Sequence, residues 1–141
     1  MPNPPWSLEA ERELWQDICR DSFWWFFRIA FGAEFFVRAD PSQRWFNERT
    51  HKTICDWLQA KFQSWEKRRA GGQRRRTKVA LIIPRNFGKT VIATKALSLW
   101  GQLRNPDISS YIGSEVFGKA CEFLGPIKTI YEGKDHYAWF P

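Results

Sequence analysis

A chain of 141 residues, 43% of them hydrophobic, has the size and apolar content of one domain, or of one domain with an arm. Its 22 Lys and Arg against 15 Asp and Glu leave a formal charge of +7 and a pI near 9.6, favouring a polyanionic partner such as nucleic acid or an anionic membrane surface. Three cysteines, Cys19, Cys55 and Cys121, lie far apart without CxxC or Cys/His ligand spacing, which indicates neither a disulfide framework nor a zinc site and fits a reducing cytosol.

The Pro-rich start "MPNPPWSLEAEREL" lacks the basic-then-apolar order of a signal peptide. Ser7 is a candidate N-cap, followed by acidic residues and by Leu8, Leu14, Trp15 and Ile18 at near-helical spacing. This predicts a helix from about Leu8 to Cys19. The next segment, "DSFWWFFRIAFG", has Asp21 or Ser22 as a second cap and Gly32 as a stop, and aromatics around most of its circumference predict a largely buried helix. The apolar run from Phe23 to Val37 carries Arg28 and Glu34 and falls short of the roughly 20 apolar residues of a membrane span. A soluble intracellular protein is expected.

Nine Trp and 12 Phe admit two uses. Exposed rings between basic residues would stack on single-stranded bases. Most of these rings lie in continuous apolar runs, however, which favours a core or a docking surface. A third helix is predicted from Glu48 or Thr50 to Trp65, with Ile54, Trp57, Leu58 and Phe62 along one face. The stretch 67–78 follows as a basic loop, with Arg74, Arg75 and Arg76 beyond the flexible pair Gly71 and Gly72. It reads as a solvated connector or as a DNA-contacting element that neutralises phosphates.

From Val79 the pattern changes. "VALII" is a continuous run of β-formers, as in a parallel strand buried on both faces. "TVIATKALSLWGQLRNP" reads as a helix ending near Gly101 or Asn105, and "ISSYIGS" as a second strand. "EVFGKACEFLGPIKTIYEG" is a further helix with a potential break at Gly125 and Pro126. Strand, helix, strand, helix implies a parallel sheet with right-handed crossovers. The expected organisation is an aromatic-rich helical region over 1–66, the basic loop over 67–78, and the first part of an α/β P-loop NTPase core over 79–141, a parallel sheet flanked by helices.

Between the first predicted strand and its helix stands "IIPRNFGKT". A phosphate loop works because consecutive backbone N–H groups curl around a phosphate at a helix N-terminus, where the helix dipole adds positive potential. Lys89 would reach the β- and γ-phosphates, and the Thr90 hydroxyl would complete the shell of a Mg²⁺ ion. Gly88 lets the backbone approach where a Cβ would intrude. The general pattern GxxxxGK[ST] places its first Gly at position 83, here Ile83 followed by Pro84. Because Pro84 has no N–H, the cradle must rely on later amides, from about Asn86 to Thr90. A bare GKT is frequent by chance; the apolar run before it and the amphipathic helix after it raise its weight.

These residues resemble the variant Walker A motif of tailed-phage terminase large subunits, where a Pro-Arg pair often replaces the early part of the loop. Upstream, "WFNERTHKTICDWLQ" resembles the helix before that family's first ATPase strand. Downstream, "PDISSYIGSEVFGKACEFLGPIKTIYEG" and "HYAWFP" resemble the strand and long helix ahead of Walker B, so the likeness runs from about Trp45 to Pro141. It implies an ATP- and Mg²⁺-dependent motor that drives double-stranded DNA into a procapsid, as a homo-oligomeric ring working with a portal and a small terminase subunit in the host cytoplasm. Pro84, Arg85, Asn86, Phe87, Gly88, Lys89 and Thr90 become the expected nucleotide-binding residues. Lys89 and Arg85 act at the phosphates, Arg85 near the γ-phosphate, and His51 lies near the adenine. No apolar strand ending in Asp-Glu follows the loop, and the family's nuclease carboxylates are missing. This is expected of the N-terminal part of a longer terminase. Another P-loop enzyme, helicase-like or nucleoside-kinase-like, and a non-catalytic nucleic-acid or protein-docking module are the alternatives.

Overall fold

A computed structural model describes residues 7–31, 48–73, 78–84 and 88–132. Helix α1 (Leu8–Asp21) begins where the Ser7 hydroxyl accepts a hydrogen bond from the Ala10 N–H at 3.2 Å, and Glu9 and Glu11 complement the dipole in its first turn. One non-helical residue, Ser22, separates it from α2 (Phe23–Ala30). The Ser22 hydroxyl caps α2 through the Trp25 N–H at 3.4 Å. Helix α3 spans Glu48–Ala70, with Lys67, Arg68 and Arg69 in its last turn, where cations complement the carbonyl end. A π-helical segment, Thr90–Ala96, runs on into α4 (Leu97–Arg104), and the Leu97 N–H bonds to the Ile92 carbonyl five residues back. Helix α5 covers Phe117–Tyr131.

The core is built around α2, whose Phe23, Phe26 and Phe27 are fully buried and which touches α1, α3, α4 and the π-helical segment. Each such ring contributes about 1.5–3 kcal/mol on leaving water. Trp100 of α4 is also fully buried, with its ring centroid 5.2 Å from Phe23 and 5.3 Å from Phe62. Its indole Nε1–H donates to the Cys19 carbonyl at 2.9 Å, so this large ring is buried without an orphaned donor. Gln59 closes the α1–α2 junction. Its Oε1 accepts from the Phe23 N–H (2.8 Å) and its Nε2 donates to the Asp21 carbonyl (3.0 Å), satisfying one orphan group from each helix end. At the far end of α4, the Arg104 guanidinium holds both Glu66 oxygens, at 2.9 to 3.3 Å, and donates to the Arg20 carbonyl at 3.0 Å. This ties α4 to α3 and α1.

The predicted parallel sheet is not present: no described residue lies in a strand. The runs 78–84 and 108–114 have no regular structure, and Ile82 and Tyr111 are 94% and 95% exposed. A strand exists only when a neighbour completes its ladder of hydrogen bonds, and neither run pairs with another described segment. The α/β P-loop architecture expected for 79–141 is therefore replaced by a helical assembly. Three smaller differences accompany this correction. Helix α3 continues past Trp65 to Ala70, so the first basic residues of the expected loop are helical. Helix α5 passes through Gly125 and Pro126 unbroken. Proline costs that helix one backbone hydrogen bond, but Ile130 is buried and Ile127 packs against the core, holding α5 on the π-helical segment. His51 of α3 is fully buried. Among the described residues no helix is long and apolar enough to cross a membrane.

Candidate phosphate-binding site

Gly88 has φ of 71°, in the left-handed region that costs other residues roughly 1–2 kcal/mol. The backbone turns there and enters the helix at once: Lys89 is already helical at φ −55° and ψ −39°, and no side chain among the described residues caps this end. The leading N–H groups of a helix have no intrahelical acceptor, and here the Ile92 N–H bonds back to the Gly88 carbonyl at 2.9 Å. Lys89 is exposed and makes no ion pair among the described residues, while Thr90 is half-buried in the first turn. Together these features form an electropositive corner of open amides, one exposed ammonium and one hydroxyl, the chemistry that receives a phosphate oxygen.

Of the expected nucleotide-binding residues, the structure brings Gly88, Lys89 and Thr90 together and leaves Pro84 exposed before the loop. Arg85, Asn86 and Phe87 lie outside the described residues, as do the expected DNA-contacting Arg74, Arg75 and Arg76. His51 is enclosed on the α3 face that also buries Cys55 and Leu58, and so is not presented to an adenine. The described residues contain no cluster of three His, Cys, Asp or Glu side chains that would hold a metal. Thr90 offers a single oxygen, so a Mg²⁺ ion here would depend mainly on the oxygens of the nucleotide it arrives with.

Two features were not anticipated. Lys95, on the π-helical segment after the loop, is buried; a lysine in an amphipathic pattern gives no sign of this until its helix is docked. The other is a cationic pocket of about 260 Å³ along α3, lined by Trp57, Lys61, Ser64, Arg68 and Lys78 with Val79 and Ala80. Trp57, Lys61 and Ser64 fall within the helix expected from the sequence, but Arg68 was expected in the loop after it and Lys78 comes from beyond the turn that ends the helix. All three cysteines are free, and burial pushes the Cys19 and Cys55 thiols up to about 12.

Comparison with protein families, with curated proteins and with solved structures finds no match.

Proposed function

We propose that Gly88, Lys89 and Thr90 bind the phosphates of ATP, and that the chain is the nucleotide-binding part of a DNA-packaging motor of the terminase large-subunit type. The observation that carries this reading is the left-handed glycine set directly before an uncapped helix that opens with an exposed lysine and a threonine. It does not require the sheet that was expected around the loop. The likeness of "IIPRNFGKT" to the terminase loop supplies the rest of the proposal: ATP with Mg²⁺ as ligand, double-stranded DNA as substrate, portal and small-subunit partners, a ring-shaped assembly, and work on the procapsid in the host cytoplasm. Arg85 is proposed to meet the γ-phosphate.

In this reading Lys89 neutralises charge on the bound phosphates and the amides around Gly88 orient them. The sequence after the loop carries no apolar run ending in Asp-Glu, so turnover should be very slow, since positioning and electrostatics supply most of phosphoryl-transfer catalysis. Titration with a fluorescent ATP analogue and Mg²⁺ tests the proposal. Lys89→Ala, at an exposed position that leaves the core untouched, is expected to weaken binding at least about tenfold by removing a charge-assisted contact. Unchanged affinity in that variant, or rapid hydrolysis by the purified wild-type chain, would overturn the reading.

The exposed apolar residues Ile82 and Tyr111 favour a second reading, a protein-docking module. Under it, Lys89→Ala leaves every binding property intact.

A further inference from the structure

Away from the Gly88 turn, positions 57, 61, 64 and 68 of α3 recur at helical spacing and present Trp57, Lys61, Ser64 and Arg68 to one pocket. Lys78 supplies a further cation from outside the helix, and among the described residues no carboxylate lines the pocket. The side chains are partly organised. The Lys61 ammonium lies 5.8 Å from the centroid of the Trp57 ring, and the Arg68 guanidinium donates to the Ser64 hydroxyl at 3.3 Å. Lys61 and Lys78 are exposed, and neither forms an ion pair among the described residues. Like charges gathered around one concavity repel one another, and an anion relieves that repulsion.

Spacing selects the kind of anion. Lys61 and Arg68 are separated by about 10 Å along the helix axis, more than one phosphate group spans. The pair suits successive phosphates of a polymer, and Trp57, 37% exposed at one end of the row, offers an aromatic edge beside them. We infer that this α3 groove binds the phosphodiester backbone of nucleic acid through Lys61, Arg68 and Lys78. The site is separate from Lys89 and does not depend on the ATP reading.

The test is fluorescence anisotropy of the full chain with a short labelled duplex, and with one of its strands alone, across salt concentrations. If three phosphates are neutralised, the combined variant Lys61→Gln, Arg68→Gln, Lys78→Gln lowers the slope of log K against log salt by about 2 to 3. The fall in its duplex affinity between 50 and 200 mM salt should then be about 40-fold smaller than for the wild type. A charge-matched control, Lys52→Gln, Lys119→Gln, Lys128→Gln, keeps the wild-type slope, and the charge-preserving set Lys61→Arg, Arg68→Lys, Lys78→Arg restores most of it. Retention of the duplex is measured in parallel with circular dichroism, so that unfolding is not scored as lost contact. The duplex and single-strand arms separate pure backbone binding from binding helped by stacking on Trp57; a shared loss in both arms supports the inference. An unchanged slope in the folded groove variant, an equal loss in the control, or binding of free ATP at the groove with none of the polymer overturns it. Lys89→Ala leaves the slope unaltered, which keeps a failure here distinct from a failure of the ATP site.

Discussion

The aromatic helices and the two runs read as strands both carry large apolar side chains, with opposite fates. In α2 and α4, Phe23, Phe26, Phe27 and Trp100 are enclosed and their polar atoms are matched, the indole by the Cys19 carbonyl and the α1–α2 junction by Gln59. In 78–84 and 108–114, Ile82 and Tyr111 stand in solvent. A helix satisfies its backbone from within its own segment and needs only somewhere to bury one side. A strand needs a neighbour for its backbone before its side chains are worth burying. Apolar content alone therefore does not turn a run of β-formers into a sheet.

The sharpest way to break this contrast is a paired truncation read by chemical denaturation. Trp100→Ala should cost about 3–5 kcal/mol, enough to unfold a marginal domain, whereas Ile82→Ser should stay within about 0.5 kcal/mol. A cost for Ile82→Ser comparable to that of Trp100→Ala would mean that the run is covered in solution. Next in size is Gln59→Leu, which strands the part-buried Phe23 N–H, while the exposed Asp21 carbonyl turns to water; a loss of about 1–3 kcal/mol is expected for the one donor left unmatched.

Gly101→Ala sharpens the packing side of the comparison. An added Cβ would lie 3.1 Å from the Phe62 ring, which is held between Trp65 and Trp100 with centroids at 5.4 and 5.3 Å. Overpacking costs about 1–3 kcal/mol and outweighs the roughly 0.5–1 kcal/mol that alanine adds to a helix. A net loss of about 1 kcal/mol is expected in thermal melts, and a gain would show that Phe62 moves freely.

The smallest effect is chemical. At pH 8 a thiol reagent should label the exposed Cys121 while Cys19 and Cys55 react only on unfolding. Their folded values near 12 lie above the reference value of 9.0. Below pH 9 both states are protonated and stability is unaffected. As pH rises from about 9 toward 12 the unfolded chain loses the protons first, so the folded state loses stability. Equal labelling of all three cysteines under native conditions would show that the core opens readily.

Much of the helical half was legible. Ser7 and Ser22 announce their caps through a side-chain oxygen three residues ahead of an open N–H, and the aromatic wrap of α2 announces a largely buried helix, from which Trp25 alone of its rings stands exposed. Asn105 closes α4 where the pattern ended it. At the candidate site, the Gly88-Lys89-Thr90 corner follows from the glycine, which alone takes the left-handed turn without strain. The burial of His51 and Lys95, the reach of α3 to Ala70 and the meeting of Lys78 with Lys61 and Arg68 were not legible. Each depends on which face of a helix meets which neighbour.

By itself, then, the sequence determined what is local: helix starts, the glycine before Lys89, the apolar stripes and the net positive charge, because these depend on residues within a few positions of one another. Only the tertiary structure decided that 79–83 and 108–114 pair with no other described segment, that a histidine and a lysine enter the interior, and that cations from α3 and beyond its end share one groove. Those outcomes turn on partners distant along the chain, and a partner's presence, unlike a residue's own propensity, is not written at the position it affects.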